Sequence, residues 1–247
     1  MNPLAALCDD FYLSCYLNTE LELPKSRDTI LHFFEQFAKA YPTMSNFYIR
    51  EPNEHVLEED KEQGHYRWVT LETQRVASGY LNPPNLEDCH AQHELMLDLA
   101  QPILSVGSLD CEAIDVMFGF DFAFKGNHDD VVSEVFARDG RFDSMLGIRG
   151  SKVVEFEPSI TIALDDQCRS QARISVVTRT NSYQVRTGQY GEESISVYFT
   201  IRKYWGMGSD GTFVDSYRRQ YEQGLELVHE HVIPNIVVPL TEVISTR

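Results

Sequence analysis

Three segments of the chain alternate apolar and polar residues with a period of two. In residues 11–23 (FYLSCYLNTELEL) the odd positions are mostly apolar and the even positions are polar or amphipathic. Residues 114–125 (IDVMFGFDFAFK) and 195–205 (ISVYFTIRKYW) show the same alternation. Because successive side chains of a strand point to opposite faces, this pattern predicts antiparallel sheet with one packed face and one hydrated face.

Helical spacing of apolar residues appears between these strands. Residues 26–41 (SRDTILHFFEQFAKAY) carry one apolar stripe, with Ser26 or Asp28 placed to cap the amino end of a helix. In residues 85–104 (NLEDCHAQHELMLDLAQPIL) the apolar positions advance by alternating steps of three and four. Both segments are therefore predicted to be amphipathic helices.

Two further helices are predicted in the second half of the chain. A short one is predicted to begin at Asp129 and Asp130, with Asn127 or His128 just before its first turn, because acidic side chains favour the positive end of a helix. The last helix begins near Thr212, and we expect Pro234 to kink or end it because proline cannot donate a helical hydrogen bond.

The two long helices resemble each other in sequence. The segments that begin at Glu94 and Glu226 share the pattern E-L-[M/V]-x-[D/E]-x-[A/V]-x-P, and each follows an alternating segment, residues 66–78 or 195–205. Both halves of the chain also open with a strand and a helix. We therefore predict an α+β fold built as a tandem pseudo-repeat of strand, helix, strands and long helix, with an extra strand in the second half.

The proposed boundary between the halves lies between residues 107 and 108. Residues 1–107 form the first α+β half and residues 108–247 the second. We expect both halves to share one continuous or pseudo-symmetric antiparallel sheet, with the helices packed on one face.

Composition and charge narrow the class of partner. The chain has 247 residues, 43% of them hydrophobic, and a net charge of −17 that lies mostly in the first half. Such a charge repels phosphate backbones and anionic lipid, so neither nucleic acid nor membrane is an expected partner. The run of acids in residues 51–65 is predicted to be an exposed hairpin or loop. Five scattered cysteines and no secretory signal predict a cytoplasmic protein with reduced thiols.

The sequence Gly206-x-Gly208-x-x-Gly211 has the spacing of a dinucleotide-binding loop. The alternating strand before it is half hydrated, and too few residues follow it to build a parallel nucleotide-binding sheet. We therefore interpret it as a turn from strand to helix, capped by Asp210 or Thr212, and expect no cofactor.

A cluster of potential metal ligands occurs in the first long helix. Cys89, His90, His93 and Glu94 lie within two turns, and zinc accepts all of these side chains. Cys89 and His93, however, fall on the apolar stripe, where a neutral, hydrogen-bonded histidine is the ordinary case. We expect no metal site, and His90, His93 and Glu94 remain the candidates if one exists.

The hydrated face of the predicted sheet carries aromatic and charged side chains of the types enriched where proteins bind partners. The predicted partner-binding residues are Tyr12, Tyr16, Trp68, Glu72, Tyr198, Arg202 and Tyr204. Because the sequence contains no evident catalytic constellation, we predict a non-enzymatic binding or regulatory module that engages a protein partner or another copy of itself. The alternative is a small-ligand-binding protein or metal-dependent enzyme, with a pocket between sheet and long helix near Cys89, His93 and Glu94.

Overall fold

A computed structural model describes residues 2–206 and 211–247 of the chain. The strands are β1 (Asp10–Thr19), β2 (Asn46–Glu51), β3 (Glu54–Glu58), β4 (Tyr66–Leu71), β5 (Arg75–Leu81), β6 (Cys111–Phe124), β7 (Ser159–Ala163), β8 (Ser170–Val177) and β9 (Glu193–Tyr204). They form one antiparallel sheet in the order β2-β3-β4-β5-β1-β6-β9-β8-β7. The fold is therefore mixed α+β, as the alternation predicts.

The helices connect the strands and cover the sheet. They are α1 (Arg27–Ala40), α2 (Leu86–Leu104), α3 (His128–Phe136), α4 (Asp143–Leu146), α5 (Ser182–Thr187), α6 (Phe213–Leu227) and α7 (Val238–Ser245), and a π-helical segment (Val228–Val237) joins α6 to α7. Among the described residues, none of these helices has the length and apolar character that crossing a membrane requires.

Side-chain caps define where several helices begin. Ser26 Oγ accepts a hydrogen bond from the Thr29 amide at the start of α1, and the Asn127 side chain accepts one from Asp130 at the start of α3. Thr212 and Asp215 bond each other's backbone amides in a capping box at α6. Of the residues in the glycine-rich turn that precedes α6, Gly208 and Asp210 lie outside the described part of the chain.

The core lies between the sheet and the long helices. The apolar positions of β1, β6 and β9 face α2 and α6, and Phe118 stacks on Tyr221 with ring centroids 5.9 Å apart. Gly224 allows this close approach, because a Cβ atom there would lie 2.8 Å from the Phe118 ring and 3.1 Å from Ile201. These contacts bring α6 directly onto β6 and β9.

Two local predictions are wrong, and a third is narrowed. Residues 66–78 do not form one strand: the chain reverses between β4 and β5, and the two strands pair. Within the described residues the extra strand lies in the first half, which contributes five strands, whereas the second contributes four. Of the two alternatives given for Pro234, ending the helix is excluded, since the π-helical segment spans it and α7 follows; a kink stays a prediction.

The acidic hairpin is also less hydrated than predicted. Residues 51–65 do contain the β2–β3 turn, but Glu58 and Glu59 are buried. Glu59 binds Arg67 at 3.0 Å, and the Arg67 guanidinium stacks over the Tyr80 ring at 4.2 Å. Charge pairing and stacking therefore hold part of this acidic run inside the fold.

Candidate functional site

The face of the sheet that points away from α2 and α6 is called the open face here. The strand register places its side chains in rows that cross the sheet. One row contains Tyr12, Gly119 and Tyr198, and the row through Tyr16 contains Asp115 and Arg202. Two grooves lie along these rows. One holds a cluster of aromatic rings together with charged side chains, among them Asp121 and Arg179, and is called the aromatic groove; the other contains Arg75, Arg173 and Arg202 and is called the arginine groove.

The aromatic groove is lined by Tyr12, Tyr66, Trp68 and Tyr198 and has a volume of about 590 Å³. Tyr12 lies at the centre, with its ring centroid 6.5 Å from Trp68 and 6.1 Å from Tyr198, both edge to face. Tyr66 adds a further contact, 5.6 Å from Trp68. Edge-to-face geometry is the favoured arrangement of aromatic pairs, so the four rings form one connected cluster.

Two glycines allow these rings to lie flat on the sheet. A Cβ atom at Gly79 would lie 2.0 Å from the Trp68 ring, and one at Gly119 would lie 2.4 Å from the Tyr12 ring. Neither distance is compatible with a real side chain. The rings therefore pack directly against the backbone of β5 and β6, which leaves each of them only partly exposed.

Partial burial changes the acid–base behaviour of this groove. Burial raises the pKa of the Tyr12 hydroxyl, and the nearby Asp121 carboxylate raises it further. Burial also raises the pKa of Asp121, against the opposing effects of a Ser196 hydrogen bond and the Arg179 charge. Tyr12 is therefore a neutral phenol at neutral pH, able to donate a hydrogen bond.

The arginine groove has a volume of about 410 Å³ and lies farther along the same face. At its floor Arg202 forms two hydrogen bonds of 2.7 Å to the carboxylate of Asp115, which also accepts from the Asn18 amide at 3.1 Å. Arg75 forms a bidentate pair with Glu72 and lies 5.3 Å from the centre of the Tyr16 ring. Each of these acids is thus neutralised by an arginine.

Two arginines at these grooves have no acidic hydrogen-bonding partner. The Arg173 guanidinium is exposed and forms no hydrogen bond or ion pair within the part of the chain that the structure describes. Within the described residues, Arg179, at the edge of the aromatic groove, donates to neutral oxygens, the Ser194 carbonyl and Ser196 Oγ, and its charge acts on the neighbouring Asp121 carboxyl. Of these two arginines, Arg173 is therefore the one whose charge is available to an external anion on this face of a strongly acidic protein.

The structure places all seven predicted partner-binding residues on the open face. Tyr12, Trp68 and Tyr198 line the aromatic groove, and Tyr16, Arg202 and Tyr204 line the arginine groove. The role of Glu72 is to pair with Arg75. Sequence reasoning missed Tyr66, which shares the alternation of Trp68, and it missed Arg173, whose strand was predicted but not assigned a face.

The candidate metal ligands of α2 lie in different environments, and each has another interaction partner. His93 is fully buried, and its Nδ1 lies 3.0 Å from Ser78 Oγ. Burial lowers the pKa of His93 to about 3, so it is neutral at physiological pH. His90 Nδ1 lies 2.7 Å from the Tyr217 hydroxyl, and Glu94 forms a bidentate pair with Arg218.

Metal coordination therefore finds little support in this cluster. Burial also raises the pKa of the Cys89 thiol, which disfavours the thiolate that zinc requires. Within residues 2–206 and 211–247, no group of three or more His, Cys, Asp or Glu side chains is arranged to hold a metal ion.

Function must consequently be argued from the open face and its chemistry. Comparison with protein-family models, with curated proteins and with solved structures finds no match to this chain.

Proposed function

We propose that the protein is a binding module that holds an extended, acidic segment of another protein across the open face of its sheet. The observation that carries this proposal is the pairing of an aromatic groove with an arginine that lacks a counter-charge. Aromatic and arginine side chains are the residue types that most often dominate binding energy at protein interfaces. Here they occur together on the face that α2 and α6 do not cover.

The spacing of the two grooves suits an extended peptide. Trp68 and Arg173 lie on β4 and β8, which are five strand positions apart in the sheet. At about 4.8 Å per strand, the path between them is about 24 Å along the sheet. An extended chain of about seven residues covers this distance. One end of such a segment would place an apolar or aromatic side chain on the ring cluster, and the other end would place a carboxylate on Arg173.

Charge favours an acidic segment over other ligands. Glu58, Glu72 and Asp115 on or beside the face are each paired with a basic side chain of the same chain. Asp121, in the aromatic groove, forms no ion pair within the described residues but lies near the Arg179 charge. In the same part of the chain Arg173 has no acidic partner. The net charge of −17 opposes a nucleic-acid backbone at long range, whereas a short peptide with few carboxylates experiences chiefly the local arginines.

Direct titration with designed peptides tests the proposal. In a Trp205→Phe background, Trp68 is the single tryptophan and reports binding in the aromatic groove. A peptide of about seven residues with Tyr at positions 1 and 3 and Glu at positions 5 and 7, all on one face of the extended chain, should change Trp68 fluorescence, and its affinity should fall as salt is added. A matched peptide with Lys in place of both Glu residues should bind much more weakly.

Two substitutions locate the binding energy. Arg173→Ala should weaken the acidic peptide by about tenfold, which corresponds to about 1.4 kcal/mol. Arg27→Ala is the matched control, because Arg27 is an exposed arginine at the start of α1, away from the grooves. Equal affinity for both peptides, or equal effects of the two substitutions, would contradict the proposal. Loss of a wild-type oligomer in Trp68→Ala would instead indicate self-association through this face.

We further infer that the two halves of the chain are related by duplication and unfold as one unit. Moving outward from β1 the strands are β5, β4 and β3, and moving outward from β6 they are β9, β8 and β7. A long helix follows β5 and β9 in turn. Because β1 and β6 pair directly, unfolding followed separately through Trp68 and Trp205 should give one midpoint. Two separated midpoints would contradict a single unit.

The cysteines support a cytoplasmic, reducing environment for this module. All five are free, and three of them, Cys15, Cys89 and Cys111, are buried. Burial raises the pKa of the Cys111 thiol to about 12, which makes it unreactive at neutral pH. Thiol titration of protein purified without reductant and then denatured should therefore find all five thiols; fewer would point to an oxidising compartment.

A further inference from the structure

Strand β7 ends the sheet with an unprotected edge. It is the last strand in the order, and all five of its residues, Ser159 to Ala163, are exposed. The strand contains neither a charged residue nor a proline, which are the features that natural proteins use to keep sheet edges from pairing. Two isoleucines on this edge, Ile160 and Ile162, are 59% and 49% exposed.

The opposite edge of the same sheet is protected. Strand β2 also exposes an isoleucine, Ile49, at 62%. However, β2 carries Arg50 and Glu51 beside it, and both charged side chains are exposed. The two edges therefore differ in charge rather than in the exposure of apolar surface, and only β7 lacks the charges that discourage pairing.

The backbone of β7 presents a regular set of unpaired groups. The Leu164 amide donates to the Ser170 carbonyl at 2.7 Å, and the Val176 amide donates to the Pro158 carbonyl at 3.0 Å. In an antiparallel pair, hydrogen-bonded residues alternate with non-bonded ones. The even-numbered residues of β7 therefore bond to β8, and Ser159, Thr161 and Ala163 direct their amides and carbonyls outward.

We propose that β7 pairs with β7 of a second copy of this chain, antiparallel and centred on Thr161, so that two sheets join into one. In this register Thr161 lies opposite Thr161 of the second copy, and Ser159 lies opposite Ala163. All three outward-facing residues then find outward-facing partners. A symmetric contact of this kind uses the same surface on both copies, which is the most common arrangement in homodimers.

The isoleucines complete the contact. With Thr161 on the symmetry axis, Ile160 of each copy lies opposite Ile162 of the other, on the same side of the joined sheet. These are non-hydrogen-bonded pairs, in which the strands approach to about 4.5 Å between Cα atoms and side chains meet most closely. Four side chains that are half exposed in the monomer thereby cover one another.

Acidic residues at the ends of the strand limit the strength of this dimer. In the same register Glu157 of one copy faces Asp165 of the other. Asp165 is partly neutralised by Lys203 at 3.3 Å, but Glu157 forms no ion pair within the described residues. Because like charges repel and salt screens them, we expect a weak dimer that strengthens as salt is added. This is opposite to the salt dependence of the proposed peptide binding, so the two proposals fail separately.

Sedimentation velocity over about a hundredfold range of concentration tests the dimer. Thr161→Pro removes the amide at the axis but leaves the bonds to β8, and Ile160→Lys places charge in the contact; each should yield monomer at all concentrations. Ile49→Lys makes the same change on the β2 edge and should leave the dimer intact. A monomeric wild type overturns the proposal, as does a dimer that survives both β7 substitutions or is lost in Ile49→Lys.

A crosslinking experiment tests the register without disturbing the fold. In a Cys168→Ser background, Thr161→Cys should form an intermolecular disulfide on mild oxidation, since its Cα atoms are expected about 5.5 Å apart across the axis. Ser159→Cys should not crosslink to itself, because its counterpart is displaced by about 13 Å along the strand. Equal crosslinking of the two variants, or none in Thr161→Cys, overturns the proposed pairing.

Discussion

Replacing Gly79 with alanine probes how the aromatic groove is built. A Cβ atom at this position would lie 2.0 Å from the Trp68 ring, so the ring must lift away from β5. In doing so it loses its edge-to-face contact with Tyr12, at 6.5 Å, and its tilted contact with Tyr66, at 5.6 Å. The substitution therefore changes the groove without removing any of its side chains.

The expected cost follows from two opposing effects. Each aromatic contact contributes about 0.5–1.5 kcal/mol beyond the area it buries, so losing both costs about 1–3 kcal/mol. Alanine in place of glycine within a strand returns about 0.5–1 kcal/mol, because the unfolded chain has fewer conformations to lose. We therefore expect Gly79→Ala to lower the free energy of unfolding by about 1 kcal/mol, within a range of about 0–2.5 kcal/mol. Gly107→Ala is the control, since a Cβ atom at Gly107 meets nothing within 4 Å.

A double-mutant cycle in urea separates the clash from other effects. If the cost of Gly79→Ala arises from displacing Trp68, it should disappear in a Trp68→Ala background, leaving only the small gain from removing glycine. The near-ultraviolet circular dichroism of Gly79→Ala should also change. Additive effects of Gly79→Ala and Trp68→Ala, or an unchanged aromatic spectrum, would refute the claim that the Trp68 ring packs on the sheet only because residue 79 lacks a side chain.

Three further predictions follow from the charges and caps. The pKa of His93 is about 3 in the folded chain against an ordinary value of 6.5, so stability is complete above pH 6.5 and falls as the pH drops toward 3. Between pH 7 and pH 5, protonation of His93 in the unfolded chain should lower the free energy of unfolding, measured in urea, by about 2 kcal/mol. His93→Gln should remove that part of the loss. Asp115→Asn should destabilise the folded chain by about 1–3 kcal/mol, because Arg202 loses its counter-charge. Adding Arg202→Met should recover part of this loss in chemical denaturation. A double-mutant cycle without recovery would contradict the prediction. Thr212→Ala should lower stability by about 1 kcal/mol through loss of the bond to the Asp215 amide, whereas Thr212→Ser should retain most of it in a thermal melt.

Alternation located the central strands because one of their faces is uniformly apolar. From Ile114 to Phe124 in β6, and from Ile195 to Ile201 in β9, every second side chain is aliphatic or aromatic and most of these are buried, so period and burial coincide. The helix caps were also predicted from the sequence, because each capping side chain accepts a hydrogen bond from the amide three residues later. These caps are Ser26, Asn127 and Thr212. Features determined by near neighbours in the sequence were therefore the ones predicted well.

Features that depend on partners distant in the sequence were not predicted. The turn between β4 and β5 has the sequence Glu-Thr-Gln, without the glycine, proline or asparagine that usually marks a hairpin, so two strands were interpreted as one. The α6–α7 connection passes Pro234 in π-helical geometry, which no proline rule anticipates. The packing of the Trp68 and Tyr12 rings over Gly79 and Gly119 depends on which residues lie opposite each other on neighbouring strands. Alternation predicts only which face of the sheet a side chain is on.

The edge contact and the arginine groove are coupled if both proposals hold. Arg173 lies opposite Thr161 in the β7–β8 ladder, and both line the arginine groove. Pairing at Thr161 would then set the two Arg173 residues three strand positions apart, about 14 Å, across the symmetry axis. Their mutual repulsion opposes the dimer, and an acidic peptide bound by both would relieve it. Binding and dimerisation must then favour each other by the same free energy. The acidic peptide should therefore strengthen the dimer in wild type but not in Arg173→Ala; a dimer weakened by the peptide would show that the two sites compete for one surface.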